Sequence, residues 1–347
     1  MLKYLRLYFL SSTYFSPVEI ETAPAEIELA PAGNGGHASP KTIEALEFYY
    51  GHYDAVQEYI LKPGTKQVLG DETQRHCRFC EKCEPEVTFK TLAHALPEAL
   101  GNKSLFSNYE CDQCNHEFGI GIENHLGKWT KALRVLGRIR GKTGLAEVEE
   151  RGGRGWKIRS HPTEGLKISA YEDNQIFEVD EDAKTVKLRI PVEPYIPLAV
   201  LKAFWKIALT LMPEDELVYF SDVRKWVRQK QHTAIGKITI NQVFQPGPMP
   251  HDLIGLSLLL RKSDDKNLPY SFLVVRFGNL TVQVPVPSTQ KDRSGDFEIP
   301  FYRYPDLLDP TVYGESKCSV LDLSSPNIHD SPIEITMHGE LKATTRP

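Results

Sequence analysis

The chain has 347 residues, of which 41% are hydrophobic and 25% charged, and its net charge is −5 at neutral pH. That length is enough for two or three domains that each bury a core, so a scaffold dependent on disulfides is excluded. The acidic balance gives no overall attraction to nucleic acid or to an anionic membrane, so any basic surface has to be local.

The chain starts "MLKYLRLYFLSS", two basic residues around a short apolar run. Lys3 and Arg6 break that run and no small-residue cleavage site follows, which argues against a signal peptide. No other stretch approaches the about 20 apolar residues of a membrane span. Residues 1–38 read as a flexible lead-in, with Ala, Pro and Gly crowded into 21–40. Over 39–71, "SPKTIEALEFYYGHYDAVQEYILKPG" predicts one amphipathic helix, with Ser39 as cap, Pro40 at the first helical position, and Pro63 and Gly64 as the stop.

Next comes "CRFCEKC", and beyond it "ECDQCNHEFG". Six cysteines are present in all, at 77, 80, 83, 111, 114 and 318, and the first five crowd into 77–114. Paired Cys-x-x-Cys units in a chain without secretion signals read as thiolate metal ligands in a reducing compartment, the cytoplasm. Two such pairs can converge tetrahedrally on one Zn²⁺. Cys77 and Cys80 are the preferred first pair, leaving Cys83 as a spare thiol, although Cys80 and Cys83 share the spacing and His76 is a further candidate. Cys318 stands alone and reads as a buried apolar side chain. Between the pairs, "VTFKTLAHALP" alternates like a strand up to His94, and "SLFSNYEC" reads as a second strand into Cys111. Asn115 then stands where a helix begins. Strand, turn, strand and helix would bring His94 and Asn115 together beside the zinc, an arrangement suited to metal-assisted hydrolysis.

The stretch 127–160 carries ten Lys or Arg against three Glu, a local charge of +7, with Trp129 and Trp156 close by. Lys128, Lys131, Arg134 and Arg138 recur at helical spacing, and Arg140 and Lys142 follow; together they form a candidate phosphate-binding strip. "GRIRGKT" at 137–143 lacks the spacing and the preceding strand of a nucleotide-binding loop. "RGGRG" at 151–155 marks a turn, and "NKS" at 102 and "NLT" at 279 fit a glycosylation pattern that matters only in secreted chains. From about 165, "LKISAYE", "QIFEV" and "TVKLRIPV" read as strands. Two helices separated near Met212 and Pro213 follow, the first apolar nearly all round and therefore buried, and then further strands with a hairpin at Gly278 and Asn279. The last thirty residues or so are polar, without clear periodicity, and read as loosely held.

Cys77, Cys80, "AHALPEALGNK", "YECDQCN" and "FGIGIENHLGKW" together resemble the HNH endonucleases, in particular the bacterial subgroup whose ββα-metal motif is braced by a four-cysteine zinc. The resemblance spans roughly 72–145. It implies a zinc-braced ββα-metal, treble-clef-like unit, with its basic extension at 72–160; the strand and helix patterns beyond it read as a mixed α+β domain of unknown role at 161–315 and a polar tail at 316–347, so the chain as a whole is α+β. The resemblance further implies His94 as general base, Asn115 as ligand of a catalytic Mg²⁺ or similar cation, Asn108 as the asparagine that positions the His94 loop, and Cys77, Cys80, Cys111 and Cys114 as structural zinc ligands. Many HNH enzymes carry a metal-binding acid just before the base, where this chain has Ala93. Glu123 is the first candidate to replace it and Glu98 the second. The expected partner is nucleic acid, DNA before RNA, with no membrane and with a homo-oligomer left open; defence against foreign DNA is an analogy with bacterial members. The alternative is a non-catalytic zinc module that binds nucleic acid or a protein partner.

Overall fold

The computed structural model describes residues 2–7, 40–73, 75–141, 144–145, 147–150, 155–161, 165–171, 176–180, 182–183, 185–245, 254–293, 302–305, 315–338 and 341–345. A strand, β1 (Leu2–Leu7), precedes helix α1 (Pro40–His52), which runs directly into β2 (Tyr53–Leu61) and the short β3 (Gln67–Leu69). β4 (Ala93–His94) and β5 (Leu105–Ser107) flank a 3₁₀ turn at Glu98–Leu100, and two helices follow, α2 (Asp112–Ile120) and α3 (Ile122–Leu136). Seven strands come next: β6 (Arg140–Gly141), β7 (Gly144–Leu145), β8 (Glu147–Glu149), β9 (Trp156–His161), β10 (Gly165–Tyr171), β11 (Phe177–Asp180) and β12 (Thr185–Ile190). Helices α4 (Pro197–Leu211) and α5 (Ser221–Arg228) lead to β13 (Thr239–Phe244), β14 (Ile254–Arg261), β15 (Ser271–Phe277) and β16 (Leu280–Val286). β17 (Lys317–Asp322), β18 (Ile333–His338) and β19 (Leu341–Thr345) complete a mixed α+β architecture. Among the described residues no helix is long and apolar enough to cross a membrane.

The largest sheet has the order β17-β13-β16-β15-β14-β2 and is antiparallel throughout. A five-stranded sheet, β19-β1-β10-β9-β8, and a three-stranded one, β11-β12-β18, stand apart from it, and β3-β5-β4 form the small sheet of the cysteine-rich segment. The hairpin between β15 and β16 turns at Gly278, whose φ of 50° is left-handed and whose missing Cβ would lie 2.9 Å from Ile139. Both reasons demand glycine there.

Helix α4 is the centre of the molecule. All fifteen of its residues are buried, Lys202 and Lys206 included. Its aromatic side chains pack on both sides: Phe204 meets Trp129 of α3 at 5.8 Å between ring centroids, and Trp205 meets Trp226 of α5 at 4.9 Å. One continuous core then joins the cysteine-rich segment, α3, α4 and the six-stranded sheet.

Three expectations need correction. The helix expected over 40–62 stops at His52, because residues 53–61 pair with β14 from Ile254 opposite Leu61 to Arg261 opposite Tyr53. Sheet partners supplied by distant residues outweigh local helical propensity. The tail at 316–347 is not loose: β17, β18 and β19 each pair with a strand far away in sequence, β13, β12 and β1 respectively. For β17 the side chains are exposed except for the half-buried Leu321, which explains why that part of the segment looks merely polar. Finally, Trp129 and Trp156 are core residues, 5% and 8% exposed, and are not free to stack on a ligand. Of the 1–38 lead-in only Leu2–Leu7 is described, and of the "RGGRG" turn only Gly155; the rest of both, and Lys142, lie outside the described residues.

Replacing Trp205, which is fully buried and donates its indole N–H to Pro285 O at 2.8 Å, removes both packing and a hydrogen bond. Trp205→Ala is expected to cost about 3–5 kcal/mol. Denaturant titration would read this as a lower midpoint at an unchanged slope.

Candidate active site

The sulfur atoms of Cys77, Cys80, Cys111 and Cys114 all lie within 4.8 Å of one another. Cys77 and Cys80 sit on a tight turn closed by Glu81 N–H to Cys77 O and Cys77 N–H to Lys82 O. The other pair opens α2, where Cys111 is the N-cap residue and its sulfur accepts from the Cys114 N–H. Cys80 Sγ and Cys111 Sγ are 3.7 Å apart. A disulfide requires about 2.05 Å, whereas four ligands at about 2.3 Å from a tetrahedral zinc lie about 3.8 Å from each other. The cage therefore fits Zn²⁺.

Its electrostatics agree. The Cys114 thiol, backed by neighbouring backbone N–H groups, draws the Cys77 thiol down to about 4. Burial pushes Cys111 up to about 12, and the bond to Cys77 together with burial raises Cys114 as well. A divalent cation at the centre of the cage favours loss of the thiol protons. Cys83 is exposed and outside the cage, and His76 forms only a β-bridge with Cys83. Cys318 is not buried, as its apolar character suggested, but exposed on β17 beside the Arg303 guanidinium.

His94 stands on β4, paired with Phe106 of the antiparallel β5, and the two rings lie 4.7 Å apart. The strand alternation turns Ala93 into the core, 1% exposed, and leaves the His94 imidazole half-buried. Burial lowers the basicity of His94, partly offset by the carboxylates of Glu98 and Glu123. Two side chains fix the approach to this strand and the exit from it. Asp112 accepts from Lys90 N–H at 3.0 Å, Thr91 N–H at 2.8 Å and the Thr88 hydroxyl, which ties the incoming segment to α2. Asn102 is fully buried: its Nδ2 donates to Leu96 O and Leu105 O, both at 2.7 Å, and its Oδ1 accepts from Ser104 and Leu105 N–H.

Asn102 thus does the work expected of Asn108. Asn108 is buried as well, but it binds Gly70 O and Leu69 O and secures the junction with β3 instead of the loop after His94. In the sequence Asn102 shows only as the first residue of a glycosylation-like triplet. The sign available there was Gly101 directly before it, which takes φ 95° to close the 3₁₀ turn. Asn115 stands on the first turn of α2, half-buried, its N–H bonded to Cys111 O at 2.9 Å. It makes no hydrogen bond with His94 among the described residues.

Beneath β4 lies a charge cluster that sequence reasoning missed. Lys206 of α4 places Nζ 2.8 Å from Glu110 Oε2, 3.0 Å from Glu123 Oε1 and 3.2 Å from the backbone oxygen of His94. Burial works against the Lys206 ammonium, but the two carboxylates outweigh it and raise its basicity. Burial also pushes the Glu110 carboxyl up to about 7.

A cleft of about 350 Å³ opens beside this cluster, lined by Glu98, by Glu123, Lys128, Lys131 and Arg134 of α3, and by Glu193. Lys131 pairs with Glu193, and the Arg134 guanidinium donates to Gly127 O at 3.0 Å. Arg138, expected on the same helical face, lies beyond the end of α3 with φ 54°, and Arg140 is exposed on β6. The basic face therefore consists of Lys128, Lys131 and Arg134 alone among the described residues of that strip.

Residues 77–130 match the HNH endonuclease family. The matched segment takes in the sulfur cage, β4, β5, α2 and the first part of α3, so a nuclease-type function is supported for it. The HNH segment excludes α4 and Lys206. No curated protein and no solved structure matches the chain.

Loss of one cage ligand should be visible in metal content. Cys114→Ser is expected to lose zinc and unfold the HNH segment, because structural zinc supplies folding free energy directly. Cys83→Ser should keep both zinc and stability. Elemental analysis with thermal melts checks the pair, and retention of zinc in Cys114→Ser would refute the ligand assignment.

Proposed function

We propose that the protein is a metal-dependent endonuclease that hydrolyses phosphodiester bonds, with DNA as the substrate. One observation carries this: His94, half-buried on a strand-strand-helix unit within the HNH segment, feels the charges of Glu98 and Glu123, two carboxylates that line a cleft together with Lys128, Lys131 and Arg134. The oxygen donors of Glu98, Glu123 and Asn115 suit a hard divalent cation such as Mg²⁺. When bound, such an ion supplies Lewis-acid stabilisation of the charge on the phosphate and the leaving oxygen.

The chain's own residues do the rest. His94, neutral at physiological pH because burial lowers its basicity, accepts the proton of an attacking water. Lys128, Lys131 and Arg134 hold the phosphate backbone in the cleft. The acid that many HNH enzymes carry before the base has no counterpart at Ala93. That side chain faces the core, so a carboxylate there would be buried, and Glu98 and Glu123 approach the base from the cleft instead. A role in defence against foreign DNA belongs to the same proposal, by analogy with bacterial HNH enzymes.

Incubating the protein with plasmid DNA with and without Mg²⁺, Mn²⁺ or Ni²⁺ tests the reading. His94→Ala is expected to lose cleavage by about 10²-fold or more while keeping zinc and DNA binding; equal cutting by the variant would remove His94 from the mechanism. A base is active when deprotonated, so kcat/KM should rise with pH through the His94 titration. Since that titration is displaced downward, the acid limb should lie below the ordinary imidazole value.

The basic face should act on affinity and leave the chemistry alone. Lys128→Ala and Lys131→Ala should each weaken binding at all DNA sequences alike and flatten the slope of log affinity against log salt by about 0.9. Filter binding across a salt series distinguishes this from a solvated face, which predicts no change of slope.

A further inference from the structure

We propose that Lys206 is a positioning residue of the nuclease site: from α4, outside the HNH segment, it sets the placement of Glu123 and of the strand that carries His94. The inference rests on the nuclease reading above and extends it, because it makes the α+β body part of the site and not merely an appendage to it.

Three groups converge on one ammonium, and each comes from a different piece of the HNH segment. The His94 carbonyl belongs to β4, Glu110 directly precedes the second cysteine pair, and Glu123 lies in the first turn of α3. The side chains of Lys206 and Glu110 are both 1% exposed, while that of Glu123 is 17% exposed and lines the cleft. The contact therefore reaches from the interior to the edge of the cleft.

Glu123 needs such an anchor because α2 and α3 are not one continuous helix. The chain breaks at Gly121, with φ −99° and ψ −107°, and a Cβ there would meet Glu117 O at 2.8 Å. The direction of α3 relative to the cysteine cage and Asn115 is therefore set by what α3 packs on, α4 on one side and β8 and β9 near its end. Lys206 is itself held rigidly. Its helix is buried along its whole length, and the last turn is closed by Arg78, which follows the first zinc cysteine and donates to Leu209 O, Thr210 O and Met212 O.

Stability alone does not account for the arrangement. A buried ion pair is a weak stabilising device, and apolar residues of similar volume frequently replace it at no loss. What apolar residues could not do is fix one oxygen of a cleft carboxylate at 3.0 Å from a rigid point.

The test compares zinc-loaded wild type with Glu110→Gln/Lys206→Met, in which the buried charges are removed together so that Glu110 is not left unpaired. Zinc content and the thermal transition check folding, calorimetry with Mn²⁺ reads the cleft, and steady-state cleavage of plasmid DNA gives kcat and KM. The double variant should keep zinc and a KM near that of wild type. Its kcat should fall by about 10²-fold, the scale of a catalytic group misplaced by about an ångström. Its Mn²⁺ affinity should rise several-fold, because the ammonium no longer competes at Glu123. Lys206→Arg, which keeps the charge but presents a longer planar head, covers the case in which the double variant does not fold, and should lower kcat while retaining zinc. Values of kcat and Mn²⁺ affinity within twofold of wild type in a folded variant would overturn the proposal. Wild type that binds Mn²⁺ but cuts no nucleic acid would defeat the nuclease reading instead, and the Mn²⁺ comparison would still decide the role of Lys206.

Discussion

Helix α4 is buried along its entire length, so every polar group it carries has to be satisfied by protein. That requirement organises much of what surrounds it. Lys202 donates to Gln229 O and Gln231 O beyond the end of α5, and thereby fixes the loop after that helix. The Thr210 hydroxyl turns back to Lys206 O within α4. The last carbonyls go to Arg78, whose guanidinium also pairs with Glu214 at 3.0 Å and lies 3.3 Å over the ring of Tyr109. Lys206 takes Glu110 and Glu123. The helix and the cysteine-rich segment thus solve each other's problem of buried charge.

The same logic explains why a small zinc unit can carry a shaped site. The segment around β3, β4 and β5 has very short strands, and so little sheet of its own. Its precision comes from polar side chains that bind backbone: Asn102 behind the loop after His94, Asp112 on the segment before it, and Asn108 at the junction with β3. The sulfur cage joins the first knuckle to the start of α2. The core beneath all of these is shared with α4 and the six-stranded sheet. A site assembled this way has its scaffold on one side and its solvent-facing cleft on the other.

The readings that failed did so for recognisable physical reasons. Residues 53–61 carry a helix-compatible pattern, and the identity of their partner strand lies some two hundred residues away, where no local window reaches. Strand β17 has mostly exposed side chains, so burial leaves no apolar stripe in its sequence although the backbone pairing is present. Asn102 and Asn108 are chemically identical, one following a turn and the other a short strand, and only the direction of their hydrogen bonds separates their roles. Arg138 keeps the helical spacing of Lys128, Lys131 and Arg134, but the helix ends before it.

By itself the sequence determined the α+β class, the sulfur cage, the strand-strand-helix order around His94 and the resemblance to HNH endonucleases, because each is written in short spacings and local chemistry: two Cys-x-x-Cys pairs, an asparagine after the last cysteine, a histidine between short apolar runs. Only the tertiary structure decided which asparagine braces the His94 loop, that Ala93 faces the core while Glu98 and Glu123 face the cleft, and that Lys206 joins Glu110, Glu123 and the His94 strand. A lysine in an apolar helix reads the same whether it snorkels to solvent or points at two carboxylates. The difference lies in burial and in partners distant along the chain, and those exist only once the chain has folded.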